Sequence, residues 1–134
     1  MNLYDQMLNI TGLDKKETIK TAISEVKDEL KDLTKERMCL VYNSHLYDNL
    51  CSKHVIAKFI NTKDLGYDYE HYYVIVPDQA TNYLVDLTYP QFFQEEDSRL
   101  KNLYHEGYQQ ITIDDYSYYL NKVTANIINS KKTK

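Results

Sequence analysis

The chain has 134 residues, 43% of them hydrophobic and 27% charged, with 16 Lys and Arg against 20 Asp and Glu for a net charge of −4. That length suffices for one domain with a real core, and the composition excludes a disordered or collagen-like chain. An acidic balance with only two arginines, Arg37 and Arg99, argues against a nucleic-acid reader.

From about Asp14 to Leu33 the residues Ile19, Ala22, Ile23, Val26, Leu30 and Leu33 recur at three- and four-residue steps, which predicts an amphipathic helix. Thr34 to Met38 breaks the period. A second helix is predicted from about Cys39 to Leu50, with Cys39, Tyr42, Leu46 and Leu50 near one side. Lys53 to Asn61 then alternates Val55, Ala57 and Phe59 with Ile56, Lys58 and Ile60, and reads as a strand apolar on both faces. Asn61 to Asp68 holds Gly66 and polar residues and reads as a loop. His71 to Val76 and Tyr83 to Leu87 are strand-like runs joined by the turn chemistry of Pro77 to Asn82, so they form a hairpin. Tyr89 to His105 is mixed and partly helical. Gly107 opens a short strand, Gln109 to Ile113, and Asp114 caps a final helix containing Tyr118, Leu120, Val123 and Ile127. Helices followed by a small antiparallel sheet give an α+β fold, the helices packed on the sheet. Residues 1–129 read as one domain and Ser130 to Lys134 as a basic, flexible tail.

The longest apolar runs, Met38 to Tyr42 and Tyr72 to Val76, fall far short of the roughly 18 residues of a membrane span. No basic segment precedes an apolar one at the N-terminus. Cys39 and Cys51 make no disulfide framework. The expectation is a cytoplasmic protein, or an effector exported without a cleaved signal peptide. No membrane span and no nucleic-acid partner are expected.

Three residues combine type, order and setting into chemistry. Cys39 lies at the start of a predicted helix, where backbone amides favour a thiolate and can hold an oxyanion. His71 opens the first strand of the hairpin and suits a base that takes the thiol proton and returns it to a leaving group. Asp86, near the end of the second strand, can fix the imidazole tautomer. Paired antiparallel strands bring such side chains within reach of one another. Thr88 and Gln91 can support Asp86 or shape the turn that follows it. By contrast, Cys51 and His54 form a Cys-x-x-His lacking further ligands for zinc, and His45 lies on a different helical face from Cys39. His105 reads as exposed and Glu95-Glu96-Asp97 as a solvated charge run. With three glycines there is no phosphate loop or dinucleotide fingerprint. No cofactor and no metal are expected.

Cys39 with Ser44, Leu46 and Leu50, then Glu70-His71-Tyr72-Tyr73-Val74-Ile75-Val76, then Tyr83-Leu84-Val85-Asp86-Leu87-Thr88-Tyr89-Pro90-Gln91-Phe92, resembles the transglutaminase-like branch of papain-like thiol enzymes. The likeness covers about Cys39 to Phe93. It implies a papain-like or transglutaminase-like core with Cys39 as nucleophile, His71 as base and acid, and Asp86 as the orienting group. The implied reaction is acyl transfer on a protein or peptide substrate, glutamine side chains included: hydrolysis, deamidation or transfer through a thioester. A bacterial effector and a peptide-maturation protease both fit. The flanks of the cysteine, Arg37-Met38-Cys39-Leu40, depart from the small or aromatic neighbours usual in such enzymes. The papain and cathepsin signature is absent, which places the chain outside the papain family proper. The alternative is an inactive protein-binding module, or an immunity-type partner, on the same scaffold. Small size, an acidic surface and Met38 beside the nucleophile favour that alternative.

Overall fold

The stripe Ile19, Ala22, Ile23 and Val26 forms the buried face of helix α1, Lys15–Glu29, in the computed structural model. The structure describes residues 15–32, 39–78, 81–92 and 97–132, the side chains of 91–92 and 128–132 excepted. Leu30 is buried just beyond α1, and Leu33 lies outside the described residues. Helix α2, Cys39–Ser52, buries Tyr42, Asn43, Leu46 and Leu50. The Tyr42 hydroxyl donates to Leu30 O at 3.0 Å, satisfying a carbonyl that the end of α1 would otherwise leave open.

Strands β1 (Lys58–Asn61), β2 (Tyr72–Val76), β3 (Asn82–Val85) and β4 (Tyr108–Ile111) make one antiparallel sheet in chain order. Its central strands are apolar on both faces because both faces are covered. Val74, Val76, Tyr83 and Val85 pack with α1 and α2 on one face. Tyr73, Ile75, Leu84 and Ile111 pack on the other with Tyr119 and Val123 of helix α4, Ile113–Lys132, and Leu103 of helix α3, Lys101–Glu106. The fold is therefore α+β, helices on a small antiparallel sheet. No helix among the described residues is long and apolar enough to cross a membrane.

The strands expected over Tyr83–Leu87 and Gln109–Ile113 are instead Asn82–Val85 and Tyr108–Ile111, and three further boundaries differ from the sequence reading, each for a local reason. The strand expected from Lys53 begins only at Lys58, because the C-terminal turn of α2 takes up Lys53 to Val55. His54 N donates to Cys51 O and Val55 N to Leu50 O, both at 3.0 Å, the pattern of a Schellman motif. Ile56 is left 67% exposed, so the alternation read there does not mark a buried strand. The final helix is capped by Thr112, not Asp114: Asp115 N donates to Thr112 Oγ1, and Thr112 N donates to Asp115 Oδ2, both at 3.1 Å. With no Pro or Gly to stop it, that helix continues to Lys132, into the segment read as a flexible tail. Thr133 and Lys134 lie outside the described residues.

In the Schellman motif His54 occupies φ 64°, a left-handed conformation that strains an L side chain by about 1–2 kcal/mol. Glycine relieves that strain but adds freedom to the unfolded chain. We expect His54→Gly to stabilise the fold by about 0.5–1 kcal/mol, read as a higher urea midpoint at unchanged slope.

Candidate active site

The end of the sheet where β2 begins and β3 finishes gathers side chains from α2, both strands and α4. His71 immediately precedes β2. Its position follows from β1, because Thr62 sits opposite it: Thr62 N donates to His71 O at 3.0 Å, and His71 N donates to Thr62 Oγ1 at 2.9 Å. The buried Thr62 hydroxyl also donates to Tyr69 O at 2.6 Å, closing the loop between β1 and β2. Asp86 immediately follows β3. The β2–β3 register pairs Val74 with Val85, so its continuation sets Asp86 opposite Tyr73 and diagonal to His71, on the same face. Two side chains span that diagonal, and His71 Nε2 lies 2.8 Å from Asp86 Oδ2. The Asp86 amide donates to Gly107 O at 2.9 Å. Gly107, just before β4, is at φ 84°, a left-handed conformation that favours glycine, and a Cβ there would crowd the Leu87 side chain at 3.0 Å.

Asp86 has no exposure and His71 only 1%. A buried carboxylate needs donors on both oxygens, and Asp86 has them. Oδ1 accepts from Thr88 N at 3.0 Å, Thr88 Oγ1 at 2.9 Å and Asn43 Nδ2 at 3.3 Å. Oδ2 accepts from His71 and from the Tyr119 hydroxyl, the latter at 2.7 Å. The Tyr119 oxygen is also 2.9 Å from His71 Nε2, so the Nε2–H is shared between carboxylate and phenol. Burial alone would raise the Asp86 carboxyl, but the His71 charge and these donors hold it below the ordinary carboxylate range.

For His71 burial acts against the charged ring. The Asp86 charge and hydrogen bond overcome it, with a smaller contribution from the Cys39 thiol, and carry the imidazole up to about 9. Nε2 is bonded to Asp86 and Tyr119, and the Cys39 thiol is among the groups that act on the ring. Cys39 is the first residue of α2 and is partly exposed. It begins the helix, whose first amides have no acceptor within the helix.

The helix that carries Cys39 is tied to the strands by Asn43, one turn further on and fully buried. Its Nδ2 donates to Tyr72 O at 2.9 Å as well as to Asp86, and its Oδ1 accepts from Leu87 N at 3.2 Å. One amide thus locks α2 to the start of β2 and the end of β3. Asn43 and Tyr119 are absent from the sequence reading. The Asn43 signal was available: a polar residue four positions after Cys39, in step with Leu46 and Leu50 on the buried face. Tyr119 is one of 14 tyrosines, and nothing in the sequence separates it from the others.

The structure places one more of the named residues in the site. Thr88 lies against Asp86, whereas the Gln91 side chain is outside the described residues, as are Glu95 and Glu96. Cys51 and His54 are exposed at the far end of α2, and His45 pairs with Glu29 of α1 at 2.9 Å. Among the described residues no three His, Cys, Asp or Glu side chains converge as metal ligands.

No protein-family model, curated protein or solved structure matches this chain.

Proposed function

We propose that this chain is a cysteine acyl-transfer enzyme of transglutaminase-like type, acting on amides of a protein or peptide. The observation that carries the reading is a buried imidazole bonded at 2.8 Å to the buried Asp86 carboxylate, with a cysteine opening the helix that Asn43 ties to the same strand ends. In the proposed reaction His71 Nδ1 takes the Cys39 proton, giving a thiolate beside an imidazolium held by Asp86. The thiolate attacks the amide carbonyl, and the resulting oxyanion faces the first amides of α2, that of Cys39 among them. The intermediate collapses as His71 returns its proton to the leaving nitrogen, leaving an acyl thioester. His71 then deprotonates water, for hydrolysis or deamidation, or an amine, for transfer.

The test is the rate of Cys39 alkylation by iodoacetamide between pH 5 and 10, in a Cys51→Ser background that silences the exposed second thiol. An ion pair keeps the rate high at pH 6, where we expect His71→Ala to slow it by about tenfold or more. A rate that instead follows an ordinary thiol, unchanged by His71→Ala, would support the inactive binding module.

A further inference from the structure

Tyr119 is fully buried and far from Cys39 in sequence, yet its hydroxyl touches both members of the pair behind the thiol, at 2.7 Å from Asp86 Oδ2 and 2.9 Å from His71 Nε2. Packing fixes its ring independently of those bonds. It meets Tyr73 edge-on at 5.3 Å between centroids and lies 5.9 Å from Tyr89. A hydroxyl has one proton. Tyr119 gives it to Asp86, so its oxygen can only accept from the His71 Nε2–H.

We infer that Tyr119 is a positioning residue of this site: its hydroxyl keeps Asp86 a carboxylate and the Nε2 proton on the ring, so that Nδ1 is turned toward Cys39. The inference rests on the acyl-transfer reading for its purpose, though not for its geometry. A buried carboxylate beside an imidazolium can draw the shared proton toward itself. A second donor on the same oxygen weakens that pull. The pair then releases the Nδ1 proton to a leaving nitrogen more readily, and neutral His71 retains the Nε2–H tautomer with Nδ1 as the base.

The ionisable groups around the pair are Cys39 from α2, Tyr73 on β2, Tyr89 after β3 and Tyr119 on α4, with Tyr116 of α4 bonded to Tyr73. Burial pushes all four tyrosines above their ordinary range. They remain neutral where His71 titrates, so Tyr119 acts there as a fixed donor.

Tyr119→Phe removes one oxygen and keeps the ring. In a Cys51→Ser background, NMR of the His71 ring is expected to show two changes: a titration midpoint raised by about half a unit or more, and an Nε2–H resonance moved downfield as Asp86 pulls harder. Melting within a few degrees of the parent would show that the packing survives. An unchanged midpoint and resonance in the folded variant would overturn the inference. Should the variant not fold, the parent protein still decides: the Tyr119 Cζ resonance must follow the His71 titration with the same midpoint, and a flat response would overturn the inference. Cys39 alkylation in the parent judges the acyl-transfer reading separately. An ordinary thiol there with a shifted His71 in Tyr119→Phe would remove the enzyme and leave the clamp.

Discussion

Asp86→Asn is expected to destabilise the protein by about 3–5 kcal/mol, because it leaves His71 buried without its counter-charge. For a chain of this size that loss lowers the melting temperature by on the order of 10–15 °C. The amide keeps the shape and can still accept on one atom, but Thr88 N, Thr88 Oγ1, Asn43 Nδ2, His71 Nε2 and the Tyr119 hydroxyl all direct protons at the two carboxylate oxygens. An NH₂ placed at either oxygen meets donors. The ring would lose its largest favourable influence, leaving burial to act almost unopposed, so the His71 midpoint falls from about 9 to about 6.5 or lower.

The pH dependence of stability checks the same pair. His71 is raised on folding from 6.5 to about 9, so its contribution is complete below pH 6.5 and is lost as the pH rises through 9. Asp86 is lowered from 3.8, so its contribution is complete above pH 3.8 and is lost as the pH falls further. The pair therefore stabilises most between these two values, and urea unfolding from pH 4 to 10 should decline on the alkaline side. In Asp86→Asn the decline between pH 6.5 and 9 should vanish. A parent protein with no such decline would show that the pair is not charged in the folded state.

Asn43→Ala is the second large effect, about 2–3 kcal/mol, because it strips a partner from Leu87 N, Tyr72 O and Asp86 Oδ1 in a buried place. Its consequence for chemistry separates it from an ordinary core defect. Asn43 is the link between the helix bearing Cys39 and the strand ends bearing His71 and Asp86. With that link gone, we expect Cys39 alkylation at pH 6 to fall by about tenfold while the His71 titration changes little. Asn43→Asp is a sharper probe. It can still accept from Leu87 N, but it puts a second carboxylate where Nδ2 now lies 3.3 Å from Asp86 Oδ1. Its destabilisation should therefore ease as the pH is lowered and one of the two acids takes up a proton. If Asn43→Ala and Asn43→Asp gave equal losses at every pH, Asn43 would not be in contact with the Asp86 charge.

Much of this architecture was written locally. The three- and four-residue steps of Ile19, Ala22, Ile23 and Val26 determine α1, because one apolar stripe has only one way to be buried. The run Tyr72 to Val76 determines a central strand, because β-branched and aromatic residues on both faces require cover on both. The hairpin between His71 and Asp86 followed from those runs and the turn between them, and with it the nearness of an imidazole and a carboxylate. Ends of elements were less legible. Lys53 to Ala57 alternates like a strand, but the Schellman motif at His54 and Val55 takes up part of that stretch before the sheet starts. Thr112 capped the last helix in place of Asp114, since either has a side chain that can accept from a helix amide and only the actual first turn chooses between them.

Tertiary structure alone decided the inner arrangement of the candidate site. The register that sets Asp86 diagonal to His71 depends on pairing across a turn, and a one-residue slip would have sent the two side chains to opposite faces. Tyr119 reaches the pair from a helix 33 residues beyond Asp86. Its partners are set by how α4 lies across the sheet, which no local pattern records. Asn43 is intermediate between these cases. Its burial was implied by the helical period, but its contacts with Tyr72, Asp86 and Leu87 exist only because α2 packs against the end of the sheet where β2 begins. Periodicity reports which face of an element is buried; hydrogen bonds between distant polar groups depend on the relative placement of several elements at once.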